Sequence, residues 1–185
     1  MSFIKANTRQ DKRKNEQEVT YMLRILHTMK ELDFAKLMAV YEESNRENGA
    51  ENYPDEPLFR QLFLQEENFY QYLQQVFFVT HGAVCAVWEE TGEYRAALRL
   101  EPYKDGLLLE ALETAPAYRR KGYARQLIQA IQAQFSEEKI YSHVHKRNAP
   151  SLAIHEACGF QRISEQATYI DGSVNSRCCT LCYLA

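Results

Sequence analysis

The sequence predicts a mixed α/β fold, in which helices flank a mostly antiparallel sheet that contains one central parallel pair of strands. Two patterns support this prediction. Three strand-like runs separated by turn residues lie in the middle of the chain, and a helix and a further strand follow them. With 185 residues, the chain is long enough for one domain with a full core and short for two.

The first part of the chain predicts a leader, a strand and two helices. Residues 1–18 are polar and highly charged, which indicates a loosely ordered leader, and residues 19–185 form the single predicted domain. A β-branched, apolar run comes first, and apolar residues at helical spacing follow it. The predicted elements are a strand at 19–26, a helix at 31–43, a loop at 44–57 with one glycine and two prolines, and a helix at 58–73.

The second part predicts most of the sheet. In order, its elements are strands at 82–90, 94–102 and 107–114, a helix that begins within 119–124, a strand at 139–145, a helix at 149–158 and strands at 160–164 and 176–184. The first three strands form an antiparallel meander. The strand at 107–114, the helix after it and the strand at 139–145 form a βαβ unit, which makes these two strands parallel.

Composition excludes several functional classes. A net charge of −3 and a pI of about 6.0 argue against a general nucleic-acid binder. No apolar run reaches the roughly 20 residues of a membrane span, and the N-terminus does not resemble a signal peptide, so we expect a cytoplasmic protein without membrane contact. Five cysteines without framework spacing indicate reduced thiols. Neither the C-x-x-C at 179–182 nor the pair His143 and His145 has the further ligands that a metal site needs.

The stretch APAYRRKGYARQLI at residues 115–128 predicts an anion site. Three cations and a glycine stand at the start of a helix: Arg119, Arg120, Lys121 and Gly122. A helix N-terminus offers unpaired backbone N–H groups and a partial positive charge, and phosphate is their natural ligand. Gly122 also lets the backbone approach a bulky anion closely. A solvated basic helix start is the alternative interpretation.

Two motifs resemble those of the GNAT superfamily of N-acetyltransferases. Arg119-x-x-Gly122-x-Ala124 is similar to the family's acyl-CoA pyrophosphate motif. NAPSLAIHEACGF at 148–160 resembles its second motif, in which an asparagine precedes a helix that ends in Gly-Phe. The order of strands and helices matches the family from about residue 19 to the C-terminus. The resemblance therefore implies the GNAT acyl-CoA N-acyltransferase fold, with acetyl-CoA as cosubstrate and no metal.

The resemblance also implies which residues contact acetyl-CoA. Main-chain groups at the end of the fourth strand hold the pantetheine, the helix start binds the pyrophosphate, and the second motif contributes further contacts. The residues at these positions are Leu112, Glu113, Thr114, Arg119, Arg120, Lys121, Gly122, Tyr123, Ala124, Arg125, Asn148, Ser151 and His155. Asn148 also suits the N-cap of the helix at 149–158, and the two roles are compatible.

Acetyl transfer to an amine by direct attack needs a base, and two glutamates are candidates. Strand alternation places Glu110 and Glu113 on opposite faces of the strand at 107–114. A carboxylate in an apolar strand is costly to bury unless it is paired, so either glutamate could have a raised pKa and accept the proton, Glu110 through water. A structural role at the solvent-facing end of the strand is the alternative for both.

The main departure from the family pattern is His155, which stands where the family commonly has a tyrosine that protonates the leaving thiolate. An imidazole with an ordinary pKa of about 6.5 can donate to a thiolate, although it is shorter than tyrosine. Ser151, one helical turn earlier, could orient the ring. A packed and hydrogen-bonded core histidine is the alternative interpretation.

The acceptor is predicted from the segment at 42–56, which holds six carboxylates against the single Arg46. An acidic lip would attract a cationic amine such as a polyamine, an aminoglycoside-like compound, a free amino acid, or a lysine or N-terminal amine. A solvated acidic loop is the alternative. We predict an N-acetyltransferase of a small-molecule amine. A protein or peptide N-acetyltransferase and a non-catalytic acyl-CoA-binding module are the alternatives, and family members often form homodimers.

Overall fold

The computed structural model describes residues 21–184, so the predicted leader at 1–18 lies outside the described residues. The strands are β1 (Tyr21–Leu26), β2 (Val84–Glu90), β3 (Glu93–Tyr103), β4 (Gly106–Thr114), β5 (Lys139–His145), β6 (Gln161–Ser164), β7 (Ala167–Thr168), β8 (Val174–Asn175) and β9 (Cys178–Tyr183). The helices are α1 (Phe34–Val40), α2 (Glu42–Asn52), α3 (Leu58–Gln75), α4 (Tyr123–Gln134) and α5 (Ala149–Ala157). Short 3-10 turns occur at Phe77–Val79 and Pro116–Tyr118.

Seven strands form one sheet in the order β1-β2-β3-β4-β5-β9-β6. β4 and β5 are parallel and α4 connects them, while the other neighbours in this sheet are antiparallel. The predicted mixed fold with one central parallel pair is therefore confirmed. The separate β7–β8 pair was not predicted, because each strand has only 2 residues and shows no recognisable alternation.

The large sheet separates two hydrophobic cores. One core joins α4 and α5 to one face and includes Leu98 and Ile128. The other joins α1 and α3 to the opposite face and includes Leu37, Leu73 and Val87. Because both faces of the central strands are covered, their sequences are nearly continuous apolar runs. Among the described residues, no helix is both long and apolar enough to cross a membrane.

A bulge interrupts β4 at Ala111. On β3, Ala97 and Arg99 are two residues apart, but their partners on β4, Glu113 and Glu110, are three apart. β4 therefore holds one extra residue here, and Ala111 has a positive φ of 49°. The bulge reverses the alternation, so both glutamates lie on the face that packs against α1 and α3. The prediction that they lie on opposite faces is wrong, because a count of alternating residues cannot detect an inserted one.

Most of the loop predicted at 44–57 is in fact helix α2. The buried residues of this helix are Asn45 and Gly49, so it has no apolar stripe that a periodicity search could find. Gly49 does not break the helix but lets it approach α3 closely. A Cβ at this position would lie 2.9 Å from the backbone oxygen of Gln61. The glycine thus marks a close helix contact, and the acidic segment is mostly helical.

We predict that Gly49→Ala destabilises the protein, although alanine favours an isolated helix by about 1 kcal/mol. The added methyl group meets a backbone atom that cannot rotate away, and overpacking of this kind costs about 1–3 kcal/mol. Urea unfolding measures the change, with Glu51→Ala on the same helix as a solvent-exposed control. An unchanged or higher free energy of unfolding for Gly49→Ala would contradict the close packing of α2 on α3.

Candidate active site

A cleft opens where β4 and β5 separate. The two strands pair only from Gly106 to Leu109 on β4, so the end of β4 borders open space. The cleft has a volume of about 600 Å³. Its lining residues are Leu112, Glu113, Thr114, Arg119, Arg120, Ala124, Asn148, Pro150, Ser151 and Ile154, together with Glu43, Ser44 and Glu47 of α2. Eight of the predicted cofactor residues therefore meet around one cleft.

The predicted anion site is the start of α4. Gly122 adopts a left-handed conformation with φ of 85° and provides no side-chain cap for the helix. An adjoining cavity of about 320 Å³ is lined by Gly122, Tyr123, Ala124 and Arg125, together with residues that also border the cleft. A helix N-terminus without a side-chain cap next to open space is the arrangement that the anion-site prediction requires.

The cations near this helix start have different environments. Arg119 forms an ion pair with Glu43 of α2, and its Nε donates to the backbone oxygen of Thr114 at 3.4 Å. Arg120 lines both the cleft and the adjoining cavity. Lys121 is exposed, and its Nζ lies 5.0 Å from the centre of the Tyr118 ring rather than in either space. Of the three consecutive cations, the structure therefore directs two toward the cleft.

The loop before α4 is held by the β2–β3 hairpin. The guanidinium of Arg95 is buried, pairs with Glu90 at 3.0 Å and with Glu93, and lies 3.7 Å from the centre of the Tyr118 ring. The Tyr118 hydroxyl donates to Glu93, and the Tyr123 hydroxyl donates to Glu90, both at 2.7 Å. This network fixes the loop on both sides of the cations. The sequence did not reveal it, because its paired members are up to 33 positions apart.

The second motif forms the other wall of the cleft. The Oδ1 atom of Asn148 accepts a hydrogen bond from the backbone N–H of Ser151 at 3.1 Å, which confirms the predicted N-cap of α5. Both side chains line the cleft. The contact of Asn148 with the cofactor stays a prediction that its position allows.

His155 is not among the residues that line the cleft, because it is buried and only 1% exposed. Its Nδ1 lies 2.7 Å from the backbone oxygen of Ser151, and since a carbonyl can only accept, Nδ1 carries the proton. The ring packs edge-on against Phe160. Burial lowers the pKa of His155, and the Ser151 carbonyl only partly offsets this effect. The geometry favours a neutral, packed histidine that Ser151 orients.

Glu113 and Glu110 differ in their surroundings. Glu113 is partly buried, and burial raises the pKa of its carboxyl, an effect that the Ser44 hydroxyl and Arg119 partly offset and that Glu43 and Glu47 reinforce. Glu113 lines the cleft, whereas Glu110, nearer the closed end of β4, does not. The structure therefore favours Glu113 as the better-placed candidate base.

A smaller side cavity of about 200 Å³ adjoins the cleft between the sheet and the first three helices. Its lining residues are Tyr41, Ser44, Asn45, Asn48, Gln65, Phe69, Arg99, Ala111 and Glu113. Glu113 and Ser44 border both spaces. A group in the cleft and a second molecule in the side cavity would thus meet at the Glu113 carboxylate. The side cavity could not be recognised from the sequence, because α2 was predicted to be a loop.

The remaining candidates are the histidines and cysteines that were considered as possible metal ligands. Within residues 21–184, no group of three or more His, Cys, Asp or Glu side chains is arranged to bind a metal. His143 lies between the rings of Tyr103 and Tyr169, and burial lowers its pKa. The five cysteines are buried and form no disulfide.

The profile of the acetyltransferase (GNAT) family matches residues 26–160 of the sequence. The chain belongs to the GNAT family. The resemblance of its two motifs is thereby confirmed, and this GNAT protein is an acyltransferase. No protein with a curated description matches the sequence.

Solved structures of other GNAT enzymes share the fold. The PaiA N-acetyltransferase of Thermoplasma acidophilum, in complex with coenzyme A, superimposes with a TM-score of 0.59 at 14% identity, over 89% of this chain and 99% of that one. The ribosomal-protein-S18-alanine N-acetyltransferase of Escherichia coli gives 0.56 at 16%, over 88% and 92%. The spermidine N-acetyltransferase of Vibrio cholerae, with CoA and spermine, gives 0.56 at 20%, over 89% and 95%. At these identities, the likeness shows the fold.

We predict that Gly122→Val weakens acetyl-CoA binding at least about tenfold, the equivalent of one lost charge-assisted hydrogen bond. A branched side chain next to the start of α4 blocks the approach of an anion and strains the backbone. Gly172→Val is the matched control, since Gly172 has nearly the same φ, 84° against 85°, but lies in a distant turn. Calorimetric titration with acetyl-CoA measures the effect. Equal affinities for the two variants would contradict the anion site.

Proposed function

We propose that this GNAT protein transfers the acetyl group of acetyl-CoA to the primary amine of a small molecule by direct attack. One observation carries the proposal: a partly buried glutamate, Glu113, stands where a cleft suited to an acyl-CoA meets a separate side cavity. The cleft receives the acyl donor and the side cavity receives the acceptor. Glu113 then contacts the site where the two react.

The cleft has the features that an acyl-CoA requires. The start of α4 at Gly122, with Arg119, Arg120 and Arg125 around it, offers N–H groups and positive charge to the pyrophosphate. The free edge of β4 at Leu112 offers backbone groups to the pantetheine, since β5 no longer pairs with it. To bind phosphate, Arg119 must first give up its ion pair with Glu43. Both side chains are exposed, and such an ion pair contributes only about 0–1 kcal/mol.

Glu113 supplies the proton acceptor. An amine enters as an ammonium ion, loses one proton to the Glu113 carboxylate directly or through water, and attacks the thioester carbon. The C–N bond forms and the C–S bond breaks. The nitrogen loses its second proton, the thiolate takes up one proton, and one proton in total passes to solvent. A raised pKa suits this role because it brings the base closer to the pKa of the ammonium.

The size of the side cavity favours a small acceptor. About 200 Å³ has room for a compact amine but not for a folded protein surface or a large aminoglycoside. A flexible peptide end remains the alternative acceptor. An acyl-CoA-binding module without activity is less well supported, because nothing in such a module calls for a partly buried carboxylate at the junction of the two spaces.

We predict that Glu113→Gln lowers kcat by about 100-fold or more with the preferred amine, as expected for loss of a general base. In the wild type, kcat/KM falls as the pH drops through the raised pKa of Glu113, because only the ionised carboxylate accepts a proton. That limb should be absent from the pH profile of the variant. Release of free CoA, followed from acidic to alkaline pH, measures both effects.

Glu110→Gln is the matched control, because Glu110 lies on the same strand and face but does not line the cleft. It should retain wild-type kcat within about threefold. Folding is not expected to confound the test. A carboxyl whose pKa is raised by folding opposes folding when ionised, so removal of its charge does not lower the melting temperature at neutral pH. A large loss of kcat in Glu110→Gln alone would reassign the base.

We predict that His155→Leu changes kcat by less than about threefold, since a buried, neutral imidazole is a poor proton donor to a thiolate. Its effect lies in stability. Because folding lowers the pKa of His155, the unfolded chain binds more protons below its ordinary pKa of about 6.5, and stability is lost as the pH falls. The melting temperature of the variant should depend less on pH between 5 and 7. A kcat loss of 100-fold, restored in His155→Tyr, would assign the acid role to His155.

A further inference from the structure

We propose that the acceptor carries a carboxylate close to its amine, so that it belongs to the amino acids and related compounds, and that Arg99 binds this carboxylate in the side cavity. The inference rests on the proposed function and adds the substrate class. Its basis is an arginine that lines the same 200 Å³ cavity as Glu113 and forms no ion pair with any described residue.

Arg99 forms no ion pair and no side-chain hydrogen bond in the part of the chain that the structure describes, although its charge acts on the nearby Glu101. No carboxylate oxygen lies within the 4.0 Å that defines an ion pair, although Glu110 is its direct neighbour across the β3–β4 pair. The Nε atom is buried and makes no hydrogen bond to any described residue. A partly buried guanidinium without hydrogen bonds to described residues is energetically costly, and this side chain also lines an open cavity, which indicates a place there for an anionic acceptor.

Aromatic rings hold the guanidinium in position. Its central carbon lies 5.5 Å from the ring centre of Phe69, 5.0 Å from that of Tyr72 and 5.7 Å from that of Phe77. Cation–π contacts of this kind support the charge without using its N–H groups. Because Nε itself is buried, the N–H groups of the two Nη atoms remain for the two oxygens of a carboxylate, a bidentate pairing that arginine forms readily.

The arrangement of charges matches an amino acid. Glu113 pairs with Ala97 of β3, and Ala97 is two residues from Arg99, which separates their Cα atoms by about 7 Å. The side chains of Glu113 and Arg99 both line the side cavity. An ammonium near Glu113 and a carboxylate near Arg99 fit these opposite charges. Asn45, Asn48 and Gln65 add polar groups around the side cavity. A polyamine would instead bring a second positive charge against Arg99, which makes it the poorer acceptor.

The test uses the full chain with acetyl-CoA and a panel of matched compounds. Each common amino acid is compared with its carboxamide and with the amine that lacks the carboxylate, and release of CoA is measured for every compound. The variants are Arg99→Met, which removes the charge at similar length, and Arg99→Lys, which keeps the charge without the bidentate geometry. Arg60→Met is the matched control, because Arg60 forms an exposed ion pair with Glu56 on the surface of α3. Circular dichroism verifies that every variant is folded.

We expect at least one amino acid to exceed its carboxamide and its amine by roughly 10- to 100-fold in kcat/KM, mainly through KM. Arg99→Met should remove this preference by lowering kcat/KM for the amino acids toward the values of their amides and amines, Arg99→Lys should retain part of the preference, and Arg60→Met all of it. Equal turnover of acids, amides and amines by the wild type, or a preference that persists in Arg99→Met, would overturn the inference and leave the acetyltransferase intact.

A binding measurement separates the inference from the proposed function. The CoA-loaded chain is titrated calorimetrically with the same matched compounds. If no compound is acetylated but amino acids bind more tightly than their amides, and Arg99→Met removes the difference, the proposed function fails and the carboxylate site stands. If no compound is acetylated and binding shows no preference for a carboxylate, both are overturned.

Discussion

The geometry of the site depends on the bulge at Ala111 in β4. The extra residue moves Glu113 onto the face that carries Arg99 and Glu110, and β4 no longer pairs with β5 beyond Leu109. The buried hydroxyl of Tyr41, at the end of α1, donates to the backbone oxygen of Ala111 at 2.7 Å. Burial raises the pKa of this hydroxyl well above its ordinary value, so it keeps its proton and continues to donate. The bulge opposite β3 and the end of the pairing with β5 thus occur in the same part of β4, which borders the cleft.

Positive and negative side chains border different parts of the cleft. Arginines around a helix N-terminus border the cleft, and a carboxylate with a raised pKa stands at its inner end. Burial affects the two candidate catalytic side chains, Glu113 and His155, in different ways. It raises the pKa of the Glu113 carboxyl, which suits the proposed base, while it lowers the pKa of His155, which disfavours the charged form that would donate a proton. The same physical effect therefore supports one predicted catalytic role and weakens the other.

α2 connects the two spaces. Its exposed Glu43 pairs with Arg119 across the cleft, Ser44 borders both spaces, and Asn45 and Asn48 line the side cavity. The acidic segment predicted to be a lip is thus a helix whose carboxylates have different partners: Glu42 pairs with Arg46, and Glu43 with Arg119. Its polar face, rather than its net negative charge, borders the side cavity. Gly49 lets this helix pack closely on α3, and the two helices together contribute Asn45, Asn48 and Gln65 to the lining of that cavity.

The sequence by itself determined the fold class, the family, the start of α4 next to Gly122 and the N-cap at Asn148, because each depends on local patterns of a few residues. Strand alternation, helical spacing and a glycine at a helix start are all encoded within about ten positions. Only the tertiary structure decided the faces of Glu110 and Glu113, the helical state of α2 and the position of Arg99 beside an open cavity. These features depend on an inserted strand residue, on a contact between Gly49 and a neighbouring helix, and on side chains that meet across the sheet. No local sequence pattern encodes these contacts, because they arise from the packing of elements that are far apart in the chain.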